Sequence, residues 1–325
     1  MLIEESELRL GLVGLGPLTE YAALTLFADA QAHALVAGTG RTLRDVVDVA
    51  GTPLYPDYFW THLVVPPERP LERHQIWDRV AVGVEVTAWG PTLESSYLLG
   101  TPTELALPAG ERPPLVALRS ASMWFADQRT GEPMPARPKA GTLAELPKLA
   151  AAPAAMATFR DVRVRGAIAG APDGRLALAA PVELPLVAGR DGAPGHSLLF
   201  AQFSRIMDLG ERALLLEHVR PPIHAALADH LSLVEREVYY IDNCAPGARV
   251  HVDARGRVEP CEQQAVAGSD TVAVALLRLA LAVHDSSGRL LALANVTKRL
   301  VVPRSRASLV HDAERFCRQH GGGIV

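Results

Sequence analysis

A histidine and several carboxylates near the middle of the chain could carry out acid–base chemistry. Asp191 and His196 lie in a Gly-rich loop ahead of a predicted helix, and Asp208 and Glu211 lie within that helix. A histidine near a carboxylate can exchange protons close to neutral pH. Helix capping and solvated helix charges would give the same pattern, so the pattern alone does not decide between the two. Further along, Glu235, Arg236 and Glu237 are interpreted as a solvated strand face.

These residues would be positioned by two halves that have the same order of parts. A Pro- and Ala-rich stretch, 128–157, separates the halves and predicts domains 1–145 and 146–325. Apolar residues at helical spacing predict one helix at about 17–38 and another at about 197–218. Alternating apolar segments predict the strands 58–65, 78–89, 94–99, 115–126, 176–187, 231–242, 248–254, 271–284 and 290–302. A final helix is predicted at about 305–320.

Each half therefore reads as one long helix followed by several antiparallel strands. A long apolar-faced helix needs a curved sheet around it, and consecutive antiparallel strands supply one. This order is similar to the hot-dog fold, and the tandem resembles an α+β double hot-dog. Strands and helices do not alternate along the chain, so the sequence disfavours a Rossmann fold and a TIM barrel.

Composition narrows the function classes. The 325 residues are 49% hydrophobic and 21% charged with a net charge of −4, which argues against a disordered chain and against nucleic-acid binding. No apolar run of about 18 residues suits a membrane span, and the acidic start lacks a signal-peptide pattern, so a cytoplasmic location is expected. Of the 32 basic residues only Lys139, Lys148 and Lys298 are lysines. A biased base composition of the genome would explain this excess of arginine over lysine, although arginines also bind phosphates and carboxylates.

Familiar catalytic and metal motifs are missing. The sequence contains no Walker A, HExxH, GxSxG or correctly placed GxGxxG motif, and the Gly-rich stretch 11–16 is interpreted as a turn before the first helix. Cys244, Cys261 and Cys317 are too few and too scattered for a zinc site or a disulfide framework. Neither a bound metal nor a bound cofactor is expected.

Three stretches carry a resemblance to a known family. The first, 50–100, contains AGTPLYPDYFWTHLVVPPERPLERHQIWDRV, and the others read GRDGAPGHSLLFAQFSRIMDLGER at 189–212 and VEREVYYIDNCAPGARVHV at 234–252. They resemble the two hot-dogs of the bifunctional acyltransferase/decarboxylases of leinamycin-type polyketide pathways. The resemblance covers most of the chain.

The resemblance implies a tyrosine acyl-enzyme. An α-carboxyacyl-CoA such as methylmalonyl-CoA would acylate Tyr55, with Tyr58 as the alternative, lose CO₂, and pass its acyl group to an acyl carrier protein. Coenzyme A then enters as a substrate, and Arg73 and His74 are candidates to contact its phosphates. A phenol has a pKa near 10, so the tyrosine would need activation by a base, a cation or a helix N-terminus.

Two other functions stay open. A hot-dog dehydratase or thioesterase acting on acyl-carrier thioesters would use Asp191 or His196. A non-catalytic double hot-dog would bind an acyl chain or dock a synthase. The expected partners are an acyl-CoA and an acyl carrier protein, and a homodimer is left open.

Overall fold

The computed structural model describes residues 1–9, 16–126, 141–172, 174–187, 199–219, 223, 225–244, 247–265 and 270–321. In these ranges the α-helices are α1 (Glu20–Thr39), α2 (Pro102–Ala106), α3 (Ala154–Arg165), α4 (Phe200–His218) and α5 (Ala307–His320). The strands are β1 (Leu2–Glu7), β2 (Leu54–Val64), β3 (Arg79–Trp89), β4 (Thr92–Gly100), β5 (Val116–Ala126), β6 (Leu176–Ala177), β7 (Val182–Pro185), β8 (Leu231–Tyr240), β9 (Arg249–Ala265), β10 (Thr271–Asp285) and β11 (Leu290–Pro303).

All of these strands join one antiparallel sheet that runs through both halves of the chain. Its order is β1-β3-β4-β5-β2-β8-β11-β10-β9-β6, with β7 also paired to β9. The halves meet where β2 pairs with β8, from Trp60 opposite Tyr239 to Val64 opposite Glu235. We call this strand pair, with the helices above it, the seam.

The two halves are built alike. After its long helix, the first half orders its strands β3-β4-β5-β2, and the second half orders the corresponding strands β9-β10-β11-β8. Alternate residues of these strands turn toward α1 and α4, which pack against each other and share one apolar core with the sheet. This is a double hot-dog, so the predicted α+β fold is confirmed. Among the described residues, no helix is long and apolar enough to cross a membrane.

Local chemistry explains where the long helices begin and how closely they pack. The Thr19 hydroxyl accepts a hydrogen bond from the Ala22 N–H at 3.2 Å, which caps α1 just beyond Pro17. Gly40 ends α1 in the left-handed conformation, with φ of 64°. On α4, a Cβ at Gly210 would lie 2.5 Å from Cγ1 of Val252, so this glycine lets the helix approach β9.

Several elements differ from the sequence prediction. Helix α3 begins inside the stretch 128–157 that was assigned to a linker and extends beyond it. Through Met156 and Val162 it packs across the outer face of the sheet at the seam. The segment 176–187 forms two short strands instead of one long strand. Strand β1, at the edge of the sheet, was not predicted, because three of its six residues are glutamates and its partly buried positions, Leu2, Glu4 and Ser6, form no apolar alternation.

Candidate functional site

A cluster of buried charges lies at the seam, under the two long helices. Its members are Glu20 on α1, Asp208 and Glu211 on α4, Arg236 on β8 and Lys298 on β11. We call these five residues the charge cluster. The side chains of Glu211 and Arg236 are 0% and 1% exposed, whereas that of Asp208 is 57% exposed. The charge cluster therefore runs from the core to the surface.

Short ion pairs hold the charge cluster together. Nε of Arg236 lies 2.8 Å from Oε1 of Glu20, and its Nη2 lies 2.8 Å from Oε1 of Glu211. Nζ of Lys298 lies 2.5 Å from Glu211 Oε2 and 2.5 Å from Asp208 Oδ1. Arg236 thus joins a carboxylate of the first half to one of the second. Burying charges is costly unless they are paired, so these contacts stabilise one another.

The balance of charges perturbs Glu20 most clearly. Three carboxylates face two cations, which leaves the charge cluster with an excess of one negative charge when all five groups are ionised. Burial raises the pKa of Glu20 to about 6; Arg236 and Lys298 oppose the rise, and Glu211 adds to it. Burial alone would lower the pKa of Lys298, but the neighbouring carboxylates raise it. Glu20 is therefore a carboxylate that can take and release a proton near neutral pH.

A second cluster of buried polar side chains, all of them uncharged, lies in the first half. The Tyr58 hydroxyl donates to Oε1 of Gln31 at 2.5 Å, and the Gln31 amide donates to the Ser95 hydroxyl at 2.8 Å. Beside them, Tyr97 and Ser120 share a hydrogen bond of 3.3 Å. We call these five residues the Tyr58 cluster. Burial, together with Tyr97, raises the pKa of Tyr58 well above its ordinary value, so its phenolate is strongly disfavoured.

The two clusters occupy related places in the tandem. Gln31 is the twelfth residue of α1, and Glu211 is the twelfth residue of α4. Each pairs with a residue in the middle of the first strand after its helix, Tyr58 or Arg236. Across the seam, Thr61 and Tyr240 connect the two regions through a hydrogen bond of 3.1 Å between their hydroxyls. The same architectural position is thus neutral in one half and charged in the other.

Tyr55, the nucleophile that the resemblance implies, lies at the start of β2. The Tyr55 backbone lies in β2 opposite Phe125, and its side chain lies outside the described part of the structure. The Tyr58 ring packs against the ring of Phe200, the first residue of α4, with the two ring centroids 4.0 Å apart. Asp191 and His196 also lie outside the described residues, so their assignment stays a prediction.

The residues expected to contact coenzyme A lie on one loop beside α1. Nη2 of Arg73 is 3.5 Å from Oε1 of Glu104, which also pairs with Arg69. His74 is 5% exposed, and its carbonyl oxygen accepts a hydrogen bond from the Leu18 N–H just ahead of α1. Burial, followed by the charge of Arg73, lowers the pKa of His74. The proposed phosphate contacts of Arg73 and His74 stay predictions.

Sequence reasoning singled out Asp208 and Glu211 of the charge cluster but missed Arg236 and Glu20. Arg236 was interpreted as part of a solvated strand face, and this is wrong, since it is one of the largest fully buried side chains. Its neighbours point the other way: Glu235 pairs with His62 at 2.7 Å, and Glu237 accepts from the Trp60 indole at 3.0 Å. Glu20 was not singled out either. The available signal was a glutamate directly after the Thr19 cap, where backbone N–H groups of a helix favour an anion.

Comparisons with known proteins bear on the fold. No protein-family model matches the chain, and no curated protein matches it in sequence. Among solved structures, it is similar to a protein from Lactobacillus plantarum assigned as an oleoyl thioesterase, with a TM-score of 0.58 and 13% identity over 92% of this chain and 95% of that one. It is also similar to an acyl-ACP thioesterase from Bacteroides thetaiotaomicron, with a TM-score of 0.53 and 10% identity over 91% and 97% of the two chains. At these identities the likeness establishes the fold that the chains share.

Proposed function

We propose that this protein is an enzyme that processes acyl thioesters, and that it hydrolyses them at the charge cluster. The observation that carries the proposal is the perturbed Glu20 carboxylate, held at the seam by an arginine from the other half. The two thioesterases of the same fold support the substrate class. The thioester would come from coenzyme A or an acyl carrier protein.

Glu20 acts as the general base in this proposal. Its carboxylate takes a proton from a water molecule, and the water oxygen attacks the thioester carbonyl carbon. The Ala22 N–H is already bonded to Thr19, but the N–H groups of Glu20 and Tyr21, ahead of the first intrahelical hydrogen bond, can donate to the oxyanion that forms. The intermediate then collapses with cleavage of the C–S bond, and the departing thiolate takes the proton back from Glu20. Arg236 positions Glu20 and does not itself exchange protons.

The pH dependence follows from the pKa of Glu20. A general base works only when it is deprotonated, so the hydrolysis rate should be constant above pH 7 and fall tenfold per unit below about pH 6. Initial rates with a series of acyl-CoA thioesters, followed by thiol release between pH 4.5 and 8.5, measure this profile. A rate independent of pH in this range would contradict the assignment.

The decisive variant is Glu20→Gln, which keeps the shape and removes the base. We expect it to lower kcat by a factor of about 10² to 10⁴, with little change in KM. Glu111→Gln, at an exposed glutamate on a loop, is the matched control and should leave kcat unchanged. Circular dichroism of both variants separates a loss of chemistry from a loss of fold. If Glu20→Gln is folded and turns over normally, Glu20 is not the base.

Decarboxylating acyl transfer through Tyr55 is the second candidate. The resemblance of 50–100 supports it, and the raised pKa of Tyr58 favours Tyr55 over Tyr58 as the nucleophile. The Tyr55 oxygen would attack the thioester carbon, and coenzyme A would leave as the thiol. CO₂ would depart from the acyl group, and the enolate left behind would take a proton from water. A carrier thiol would then attack the tyrosyl ester and release the phenol. An apolar interior would favour loss of the charged carboxylate.

One experiment separates the candidates. The protein is incubated with methylmalonyl-CoA, with and without an acyl carrier protein, and its intact mass and released CO₂ are followed. A tyrosine adduct that disappears in Tyr55→Phe but persists in Glu20→Gln would establish the transferase. Free acid without CO₂, lost in Glu20→Gln and retained in Tyr55→Phe, would establish the thioesterase. Binding of acyl thioesters without turnover would instead favour a non-catalytic acyl-binding protein.

A further inference from the structure

A cavity of about 400 Å³ lies on the outer face of the second half, on the opposite side of the sheet from α4 and the charge cluster. A cavity of this size can hold a small organic molecule. Its floor is the sheet, and its roof is the chain that follows α3. Neither thioester hydrolysis nor acyl transfer at the seam uses it.

The floor has small residues at its centre and polar residues around them. Ala280 of β10 lies between Arg255 of β9 and Asn295 of β11 in one cross-strand row. In the next row Ala282 lies between Asp253 and Leu293. Because alanines occupy the central strand, the floor is depressed between taller neighbours.

The roof is apolar. The chain leaves α3 through Gly166, with φ of 64°, and turns again at Gly170, with φ of 73°. Both values are in the left-handed region that favours glycine, so the sequence supports this turn over the sheet. The apolar side chains that line the cavity from this segment and from the following strand are Ala167, Ile168, Ala171, Ala177 and Leu178.

Two polar groups of the floor lack partners. Oδ1 of Asn295 is buried and accepts no hydrogen bond within the described part of the chain. Arg255 is exposed and pairs with no carboxylate among the same residues, whereas Arg257 and Arg278 on this sheet face both pair with Glu259. A buried acceptor without a donor is costly, and such a group lining a cavity points to a ligand that supplies the donor.

We propose that this cavity binds a small amphipathic hydroxy acid. Its carboxylate pairs with the Arg255 guanidinium, its hydroxyl donates to Oδ1 of Asn295, and its aliphatic body lies over Ala280 and Ala282 beneath Ile168. Arg255 and Asn295 are two strand spacings apart, about 10 Å between backbones, and their side chains shorten this gap. The ligand we propose carries its carboxylate and its hydroxyl on neighbouring carbons, so that one molecule reaches both groups. His284, whose Nδ1 lies 3.5 Å from Asp253 Oδ2, lines the cavity and leaves that carboxylate less available to compete for Arg255.

The proposal is tested with 3-hydroxyoctanoate as the probe and isothermal titration calorimetry of the full-length protein. We expect saturable one-to-one binding, weakened about tenfold or more in Arg255→Ala, since a charge-assisted hydrogen bond is lost. Arg304→Ala is the charge-matched control, since this exposed arginine follows the far end of β11. It should bind the probe like the unaltered protein. Octanoate, which lacks the hydroxyl, should bind more weakly than the probe.

A variant that fills the cavity tests whether the probe binds there. Ala282→Leu puts a side chain into empty space, so it should leave the thermal unfolding midpoint unchanged or raised and abolish binding of the probe. If Ala282→Leu binds the probe normally, the probe occupies another place, such as the seam, and the proposal is wrong. No saturable binding to the unaltered protein overturns it as well. Glu20→Gln should retain probe binding, which keeps this result independent of the hydrolysis proposal.

Discussion

At the scale of single residues, Arg236 shows how a buried charge depends on its partners. It contacts carboxylates from both long helices and is almost fully removed from water. Replacing one partner of a buried ion pair leaves the others uncompensated, which costs about 3–5 kcal/mol. The size of the penalty then depends on whether those partners still carry charge.

We therefore predict that Arg236→Met lowers the free energy of unfolding by about 3–5 kcal/mol at pH 8 and by less at pH 5. The sign follows from Glu20. Its pKa of about 6 leaves it charged at pH 8 and mainly protonated at pH 5, where it no longer needs the arginine. Urea unfolding at the two pH values measures the difference, and Arg236→Met combined with Glu20→Gln should recover part of the loss at pH 8. An equal loss at both pH values would contradict this account.

Tyr58 represents the opposite case, a neutral buried network. Tyr58→Phe removes the donor to Oε1 of Gln31 and leaves that buried oxygen unpaired, so a loss of about 1–3 kcal/mol is expected. The double variant Tyr58→Phe with Gln31→Met removes both partners and should lose less than the sum of the single changes. Urea unfolding of the four proteins in this double-mutant cycle gives the coupling. Additive losses would show that the hydrogen bond contributes nothing.

At the scale of elements, the sequence predicted those whose pattern is local. Helix α1 and the hairpin of β10 and β11 were found because apolar spacing and the turn Asp285–Gly288 are contained in short windows. Helix α3 was missed because alanines and prolines precede it, and its stability depends on contact with distant strands through Met156 and Val162. The close approach of α4 to β9 could not be predicted either, since Gly210 looks like a weak point in a helix until Val252 is placed beside it.

Gly210→Ala distinguishes local propensity from packing. Alanine favours helix over glycine by about 1 kcal/mol, so an unpacked helix would gain stability. Here the new methyl group would overlap the Val252 side chain, and we predict a net loss of about 1–3 kcal/mol in thermal or urea unfolding. Val252→Ala alone should destabilise, yet combined with Gly210→Ala it should recover stability. A gain in stability for Gly210→Ala by itself would mean that α4 packs less closely than described.

At the scale of the whole molecule, the tandem order of parts was accessible from sequence, whereas the site was accessible only in part, through Asp208 and Glu211. The repeated helix-then-strands pattern predicted two hot-dogs, because each half shows it independently. The charge cluster unites residues more than 200 positions apart, such as Glu20 and Arg236, and a strand pattern cannot show which edge of each half meets the other. Alternation along β8 puts Arg236 on one face of the sheet and Glu235 and Glu237 on the other, but it does not show which face the helices cover. In the fold Arg236 turns toward the helices, and the two glutamates are partly buried against β2.

The seam also predicts how the halves behave when they are separated. Fragments 1–145 and 146–325, the domains expected from sequence, would each expose an unpaired edge strand, β2 or β8. Fragment 146–325 would also hold Arg236 without Glu20. Exposed edges promote aggregation or self-pairing, so each fragment alone should be poorly soluble or form oligomers. Co-expressed fragments should copurify as a one-to-one complex, detectable by light scattering, and Glu20→Gln should weaken that complex more than Glu111→Gln. Fragments that each fold as stable monomers would contradict the view that the sheet is one cooperative unit.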